Sequence, residues 1–433
     1  MRLLLKSIVE NIPYSIGHIV KYIPFRYRLG KEYSSFMSLQ QESHTWDNVQ
    51  KERYAVTNFS QIFEYSKVNF PFYQNLYKKA GVFDLKIKRL SDINRIPVIS
   101  KADIRNHISE FSGNMLLNTG GTSGEPFQFY VDKNAFAREW AHMHSIWFKK
   151  GYTPTDLKIT LRGKNLRNKS YVYNPVHNEF VVNSYMRVSD YKKDLLNLFN
   201  KHKIQYIHGY PSAIYGFLKE IDECTNRQEK SIIAQNLKVC FLSSEFPATY
   251  MMEYIKNNWN LDYISWYGHS EMCILAYDEN KNNNYFPFIT YGFAENVQGH
   301  LIGTSFHNFD MPLIRYDTGD LITSNNRENE LMTSFQITQG READYIIDKK
   351  GKQIPLTALI FGRHHKIFGM VDYVQVSQKN RSGIVTFYVT TSKRYSTQEM
   401  RNAMDLTNIE ADFDFKIINL PIRTKAGKIK LKI

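Results

Sequence analysis

Five short stretches of this chain carry residues that could act chemically together. Asn118-Thr119-Gly120-Gly121-Thr122-Ser123-Gly124-Glu125-Pro126 joins three glycines, whose backbone can approach a phosphate closely, to the hydroxyls of Thr119, Thr122 and Ser123, which can donate to phosphate oxygens. It lacks the Gly-Lys-Ser/Thr ending of a Walker A loop, and standing alone it would also serve as a flexible turn. The others are Tyr267-Gly268-His269-Ser270-Glu271, Arg315-Tyr316-Asp317-Thr318-Gly319-Asp320, Gly340-Arg341-Glu342-Ala343-Asp344 and Pro421-Ile422-Arg423-Thr424-Lys425-Ala426-Gly427-Lys428. Each has a plainer reading. Glu271 could be a helix N-terminal carboxylate and Asp320 a turn residue after Gly319. Lys428 could be one solvated charge in a tail with no acid from Lys416 onward.

The elements that must position these residues follow from periodicity. Residues 45 to 80 and 134 to 149 read as helical. Strand and helix patterns then alternate: a strand at Lys158 to Leu161, a helix from Lys192 to His202, a strand from Ile204 to Ile207, a helix from Ala213 to Cys224, a strand from Val239 to Leu242, a helix from Tyr250 to Asn258 and a strand from Leu261 to Trp266. That alternation predicts parallel βαβ units. Short β-rich pieces follow residue 285, and Val371 to Val376 with Val385 to Thr390 read as a hairpin. The expected organisation is an α/β fold with a large domain over 1–339 and a small α+β domain over 345–433.

With 433 residues, 42% of them hydrophobic, the chain has ample material for a globular core. Its 56 Lys+Arg outweigh 42 Asp+Glu, a net charge of +14. No zinc-finger, RNP-type or helix-turn-helix pattern directs that charge at bases, so nucleic acid is not an expected partner. Cys224, Cys240 and Cys273 are too scattered for a disulfide framework, and there is no signal-peptide or membrane-spanning pattern, so a cytoplasmic location is expected. The first 34 residues hold Arg2, Lys6, Lys21, Arg26, Arg28 and Lys31 against Glu10 and Glu32, with Leu5, Ile8, Val9, Ile12 and Ile16 at helical spacing. That stripe could pack on its own domain or lie peripherally on an acidic membrane. The run Lys149, Lys150, Lys158, Arg162, Lys164, Arg167 and Lys169 reads as a solvated face or as a patch steering an anionic co-substrate. His142, His144 and the pair His364-His365 lack acidic partners at ligand spacing.

The five stretches, in this order over about residues 60 to 433, resemble the adenylate-forming (acyl-AMP) ligase superfamily, and within it the short branch of phenylacetate-CoA ligase and its capsular-polysaccharide-biosynthesis relatives. His208-Gly209-Tyr210-Pro211-Ser212 and Ser243-Ser244-Glu245 resemble the capsular side. The resemblance implies a large adenylation domain joined by a hinge over 340–344 to a small C-terminal lid. It implies that Thr119, Gly120, Gly121, Thr122, Ser123 and Gly124 hold the ATP β- and γ-phosphates and that Glu271 helps bind Mg²⁺. Tyr267 would stack near adenine, with Ser244 and Glu245 by the base. Asp320 would accept from the ribose hydroxyls with Arg341 nearby, and Lys428 would reach the carboxylate and the α-phosphate. His269 would stand where acyl group and α-phosphate meet. Residues around Tyr210, Ser212, Trp266 and His269 are candidates for the acid pocket. Two departures stand out: Phe127 occupies the place where many members have a lysine, and Ala343, followed by Asp344, replaces the usual hinge acid.

The expected activity is an ATP-dependent, AMP-forming ligase that adenylates a carboxylic acid and passes the acyl group to CoA or to an amine, in capsule or surface-polysaccharide synthesis; a homodimer is what the branch suggests. The alternative is a non-catalytic scaffold of the same fold, docked on a membrane glycan-assembly complex.

Overall fold

The structure, a computed structural model, describes residues 12–118, 127–161, 166, 168–184, 186–244, 247, 249–328, 331–337, 345–356, 359–360, 365–371, 373–379, 384–391, 393–419, 422 and 432–433. Its centre is a twelve-stranded mixed sheet. Five neighbouring strands, Glu179–Val182, Leu157–Leu161, Ile204–Gly209, Val239–Leu242 and Asp262–Gly268, run parallel in that spatial order. They read as near-continuous apolar runs because helices cover the sheet. The helices Val188–Lys201, Pro211–Cys224 and Thr249–Trp259 bury Leu195, Leu198, Ile214, Leu218, Ile221 and Ile255 against Ile159, Leu161, Ile207 and Leu242. The predicted βαβ units are therefore present, with ends shifted by a few residues.

From Asp262–Gly268 onward the sheet turns antiparallel, through Leu275–Asp278, Asn284–Pro287, Leu331–Ile337, Tyr316–Glu328, His300–Ser305 and Gly292–Val297. The helical region predicted over 45 to 80 is two helices, Asn48–Asn69 and Pro71–Lys79, because Pro71 has no N–H to continue the first and holds Phe70 extended. A helix at Arg227–Ala234 was not anticipated, although Asn226 and Glu229 form the reciprocal cap that marks its start. No helix among the described residues is long and apolar enough to cross a membrane.

The basic run needs correcting. Lys158 is fully buried on the strand Leu157–Leu161, facing Glu179 of the neighbouring strand at 3.5 Å. Its Nζ also donates to the His177 carbonyl (2.6 Å) and the Tyr152 hydroxyl (3.2 Å). Lys149 pairs with Glu279 and Lys150 with Asp262, while Arg162, Lys164 and Arg167 lie outside the described residues. His142 and His144 are core residues, held by the Arg138 carbonyl with Thr290 and by the Tyr33 hydroxyl respectively.

A separate core, including Ile346, Ile354, Val374, Phe387 and Met400, begins after residue 345. The predicted hairpin forms, with Tyr373–Ser377 antiparallel to Ile384–Thr390; Asp412–Ile418 then adds in parallel. The expected hinge at 340–344 lies outside the described residues. At the seam between the two cores, the buried Lys352 donates to the Met186 carbonyl and stands 3.8 Å from Glu220 of the helix Pro211–Cys224. Burial pushes its pKa down to about 8 against the attraction of Glu220 and Asp348. The folded chain thus binds this proton more weakly than the unfolded one, where the value is 10.5, so stability should rise as pH climbs from about 8 toward 10.5. In denaturant melts the wild type should gain about 1.4 kcal/mol per pH unit relative to Lys352→Met over that window. Parallel pH curves for the two proteins would contradict this.

Candidate active site

The strand Asp262–Gly268, with Ile264, Ser265 and Trp266 buried, lies where the parallel half of the sheet meets the antiparallel half. It ends in a tight turn, residues 269–274, in which the Met272 amide bonds to the His269 carbonyl and Met272 takes a φ of 56°. Gly292 seats this turn: a Cβ there would come within 2.0 Å of the Cys273 carbonyl oxygen. The turn delivers Glu271 into the protein with its side chain 7% exposed.

Three groups meet the Glu271 carboxylate. Oε1 lies 3.3 Å from Lys101 Nζ and accepts from the Tyr316 hydroxyl at 3.1 Å; Oε2 lies 3.2 Å from His269 Nδ1. His269 Nε2 accepts the Ile274 amide at 3.3 Å, which assigns the ring proton to Nδ1, so His269 gives Glu271 a hydrogen bond while Lys101 gives it charge. Burial alone would raise the Glu271 pKa, but the His269 bond and the positive potential of its neighbours outweigh burial and hold it at about 2.

Lys101 was not singled out in the sequence, yet local signals place it. Ser100 and Asp103 cap the helix Lys101–Asn106 reciprocally. Ile99 bridges Tyr316 through bonds to the Arg315 carbonyl (3.0 Å) and from the Asp317 amide (2.9 Å). Arg315 clamps the same join. Its backbone is left-handed (φ 50°), and its guanidinium pairs with Glu295 at 3.0 Å while donating to the carbonyls of Asn94 and Ile96. Phe127 is completely buried, stacked 6.2 Å from Tyr316, with Lys101 Nζ 5.6 Å from its ring centroid. Lys101 therefore puts an ammonium beside the position where the sequence lacks a lysine.

On the same rim, the Tyr267 hydroxyl donates to Asp320 Oδ2 at 2.7 Å, with its buried ring edge-on to Phe335. Burial and the Asp320 charge push the Tyr267 pKa far up, so it remains a donor. Gly319, at φ 79°, sits in the irregular stretch of the strand Tyr316–Glu328 that leads to half-buried Asp320. Ser244, with φ 67°, stands two residues beyond the Leu242↔Ser265 pairing.

A second polar group lies on the helix Ala135–Phe148. Glu139 shares a stripe with Met143, Ile146 and Trp147, which are buried in one cluster with Trp266, Leu275 and Tyr291. The Tyr291 hydroxyl donates to Glu139 Oε2; Oε1 has no hydrogen-bond partner among the described residues. The residue is half-buried, and burial pushes its pKa up against the Tyr291 bond and the nearby His269. His208 stacks on Trp266 with ring centroids 5.7 Å apart. A cleft of about 300 Å³ bounded by Glu32, Phe36, Asp132, Arg138 and His307 includes none of these groups.

No family model matches the chain. Protein CapK of Staphylococcus aureus is 24% identical over 423 residues, covering 91% of this chain and 85% of CapK. The crystal structure of 2-hydroxyisobutyryl-CoA ligase with 2-HIB-AMP and CoA in its thioesterification state superposes with a TM-score of 0.53 at 16% identity, over 90% of this chain and 91% of that one. The fold is that of the adenylate-forming ligases.

On this adenylate-forming fold, the structure gathers four residues singled out in the sequence, Tyr267, His269, Glu271 and Asp320, at the end of one central strand, with Ser244 at the end of the next. The strands Met115–Asn118 and Gln128–Val131 pair up to Asn118↔Gln128, but Thr119, Gly120, Gly121, Thr122, Ser123 and Gly124 lie outside the described residues, as do Glu245, Arg341 and Lys428. Sequence reading missed Lys101, Glu139 and Tyr291. Tyr316 lay inside a quoted stretch without a role.

Proposed function

We propose that this protein is an ATP-dependent, AMP-forming ligase that activates a carboxylic acid as its adenylate and transfers the acyl group to a thiol or an amine. The observation that carries this reading is the ionised Glu271, ringed by Lys101, His269 and Tyr316 on the rim that also presents Asp320. Similarity to CapK supports a place in capsule or surface-polysaccharide synthesis.

In the first step a carboxylate oxygen of the acid bonds to the α-phosphorus, and the bond to the β-phosphate bridging oxygen breaks, releasing pyrophosphate with its electron pair. In the second, the acceptor's sulfur or nitrogen bonds to the acyl carbon, AMP leaves and the acceptor loses its proton. Two anions must meet in the first step, so the protein's main task is electrostatic. Lys101 supplies fixed positive charge there, and Lys428 and the backbone of residues 119–124 would add to it. Asp320, with Oδ2 held by Tyr267, keeps Oδ1 for ribose hydroxyls. Tyr267 is then a positioning residue as much as a stacking one.

Mg²⁺ typically takes one or two carboxylates plus substrate phosphates, and Glu271, ionised and poor in competing acids, fits that donor set. When bound, the ion would neutralise phosphate charge. Tyr316 and His269 fix the Glu271 oxygens that would meet it.

Glu139 bears on the choice of acid. A carboxylate with one oxygen unengaged among the described residues, at the edge of an aromatic cluster, favours an acid carrying its own donor, a hydroxyl or an ammonium, over a plain alkanoate. The test is ATP–pyrophosphate exchange over hydroxy, amino, aromatic, uronic and alkanoic acids, followed by an acceptor screen. Exchange is expected with donor-bearing acids, and Glu139→Gln should raise KM for an ammonium-bearing acid by about 10- to 100-fold while sparing alkanoates. No exchange with any acid, together with no ATP binding, would overturn the ligase reading.

A further inference from the structure

The N-terminal segment has a face that the ligase reading does not use. Its inner side is firmly seated. The Tyr14 ring meets Tyr173 at 4.8 Å, Phe180 at 5.3 Å and His202 at 4.3 Å. Gly17 is so close to the sheet edge that a Cβ would come within 3.1 Å of Tyr173. Phe25 is buried between Tyr33 and His144, and Arg28 donates to the Val176 carbonyl at 2.8 Å. Of the apolar stripe, Leu5, Ile8 and Val9 lie outside the described residues and Ile16 points away from the domain; Tyr14, Gly17, Phe25 and Arg28, not the stripe, make the contact.

The outer side carries Ile16 (64% exposed), Ile19 (59%), Tyr22 (69%), Ile23 and Tyr27 (68%), five large apolar side chains within twelve residues. Among them stand Lys21 and Arg26, over the rings of Tyr22 and Tyr27 at 5.1 and 4.7 Å. No Asp or Glu occurs from Asn11 to Lys31. The helices here, Tyr14–Gly17, His18–Tyr22 and Phe25–Leu29, are short and successive; the first lies against the edge strand Tyr171–Asn174 of the large sheet, and the last packs on the helices Lys31–Ser43 and Ala135–Phe148.

We propose that this face docks the protein on an anionic lipid bilayer. Apolar side chains that cannot reach the core lose water by entering the boundary between headgroups and acyl chains, and tyrosines suit that boundary because the ring is apolar and the hydroxyl wet. Lys21, Arg26 and Lys31 meet the lipid phosphates, which supplies the second of the two attractions that stable peripheral binding requires. A protein partner would have to bring an acidic surface to the same place. A second copy of this chain would bring the same cations and be repelled. The rigid inner seating means that docking orders nothing new and orients the large sheet edge-on to the membrane.

The test is sedimentation of the full chain with vesicles of phosphatidylcholine containing about a third phosphatidylglycerol, against phosphatidylcholine alone. Pelleting is expected with the anionic vesicles only and should weaken as salt is raised. Ile19→Glu with Tyr27→Glu should lower the partition coefficient about tenfold or more, whereas Val68→Glu, at an exposed apolar position elsewhere, should leave it unchanged. Since all three sites are exposed, the variants should keep wild-type melting curves. Failure of the wild type to pellet, or equal pelleting of the double variant, would overturn the proposal. So would a dimer in sedimentation equilibrium that the double variant dissociates, which would assign the face to a second copy.

Discussion

Glu271→Gln is expected to lower ATP–pyrophosphate exchange by about 10²–10³-fold, the usual cost of removing one preorganised electrostatic group from a reacting centre. The replacement preserves shape but places an amide where Lys101, Tyr316 and His269 all offer donors, so it removes the one anion that organises them. ATP affinity measured calorimetrically without Mg²⁺ should change far less than exchange does, since Glu271 is assigned to the ion and not to the nucleotide. Tyr316→Phe, which deletes one donor and leaves the carboxylate, should cost only about tenfold. Because the Glu271 pKa is held at about 2, below its ordinary 4.5, the stabilisation it contributes is complete above about pH 4.5 and is lost as pH falls toward 2. Any acid limb of the rate profile between pH 5 and 8 must then belong to another group. Exchange within about threefold of wild type in Glu271→Gln would remove this residue from the mechanism.

Lys158→Met is expected to destabilise the large domain by about 3–5 kcal/mol, measured by denaturant unfolding. Methionine fills most of the space, but Glu179 is left charged and buried between strands without the lysine's charge, while Thr160 (2.6 Å) and Asn174 (2.9 Å) still donate to it. Neutralising both partners, as Lys158→Met with Glu179→Gln, should recover at least half of the loss, because the glutamine carbonyl can still accept while the uncompensated charge is gone. A double variant no better than the single would show that the volume of the lysine stem, and not its charge, is what the strands require.

Lys158 also shows why part of this molecule is hidden from its sequence. Surrounded by Lys149, Lys150, Arg162 and Lys164, it reads as one more solvated cation. Only the parallel register that sets Lys158 opposite Glu179 reveals an ion pair inside the sheet. The same holds at the candidate site. Tyr267, His269 and Glu271 are legible because one strand and one turn carry them, with Asp320 recognisable in its own short stretch. Lys101 comes from a position 170 residues earlier than the carboxylate it faces, and nothing periodic links the two. Its local frame was readable, since Ser100 and Asp103 announce a helix start. The parallel half of the fold was clear for a similar reason: strand and helix patterns alternate in the chain as they do in space. The outward turn of Ile16, Ile19 and Tyr22 was not, because a helical stripe does not say which neighbour, if any, it meets.

The reversal of strand direction after Asp262–Gly268 divides labour within the molecule. Apolar runs on both sides of it fill the interior, and Tyr210, Ser244, His269 and Glu271 follow just past Gly209, Leu242 and Gly268, where the chain has left the sheet. Loops at those three exits can be retailored with little disturbance to either hydrophobic layer. One inherited scaffold could thus serve different building blocks across lineages, while the frame beneath stays as it is.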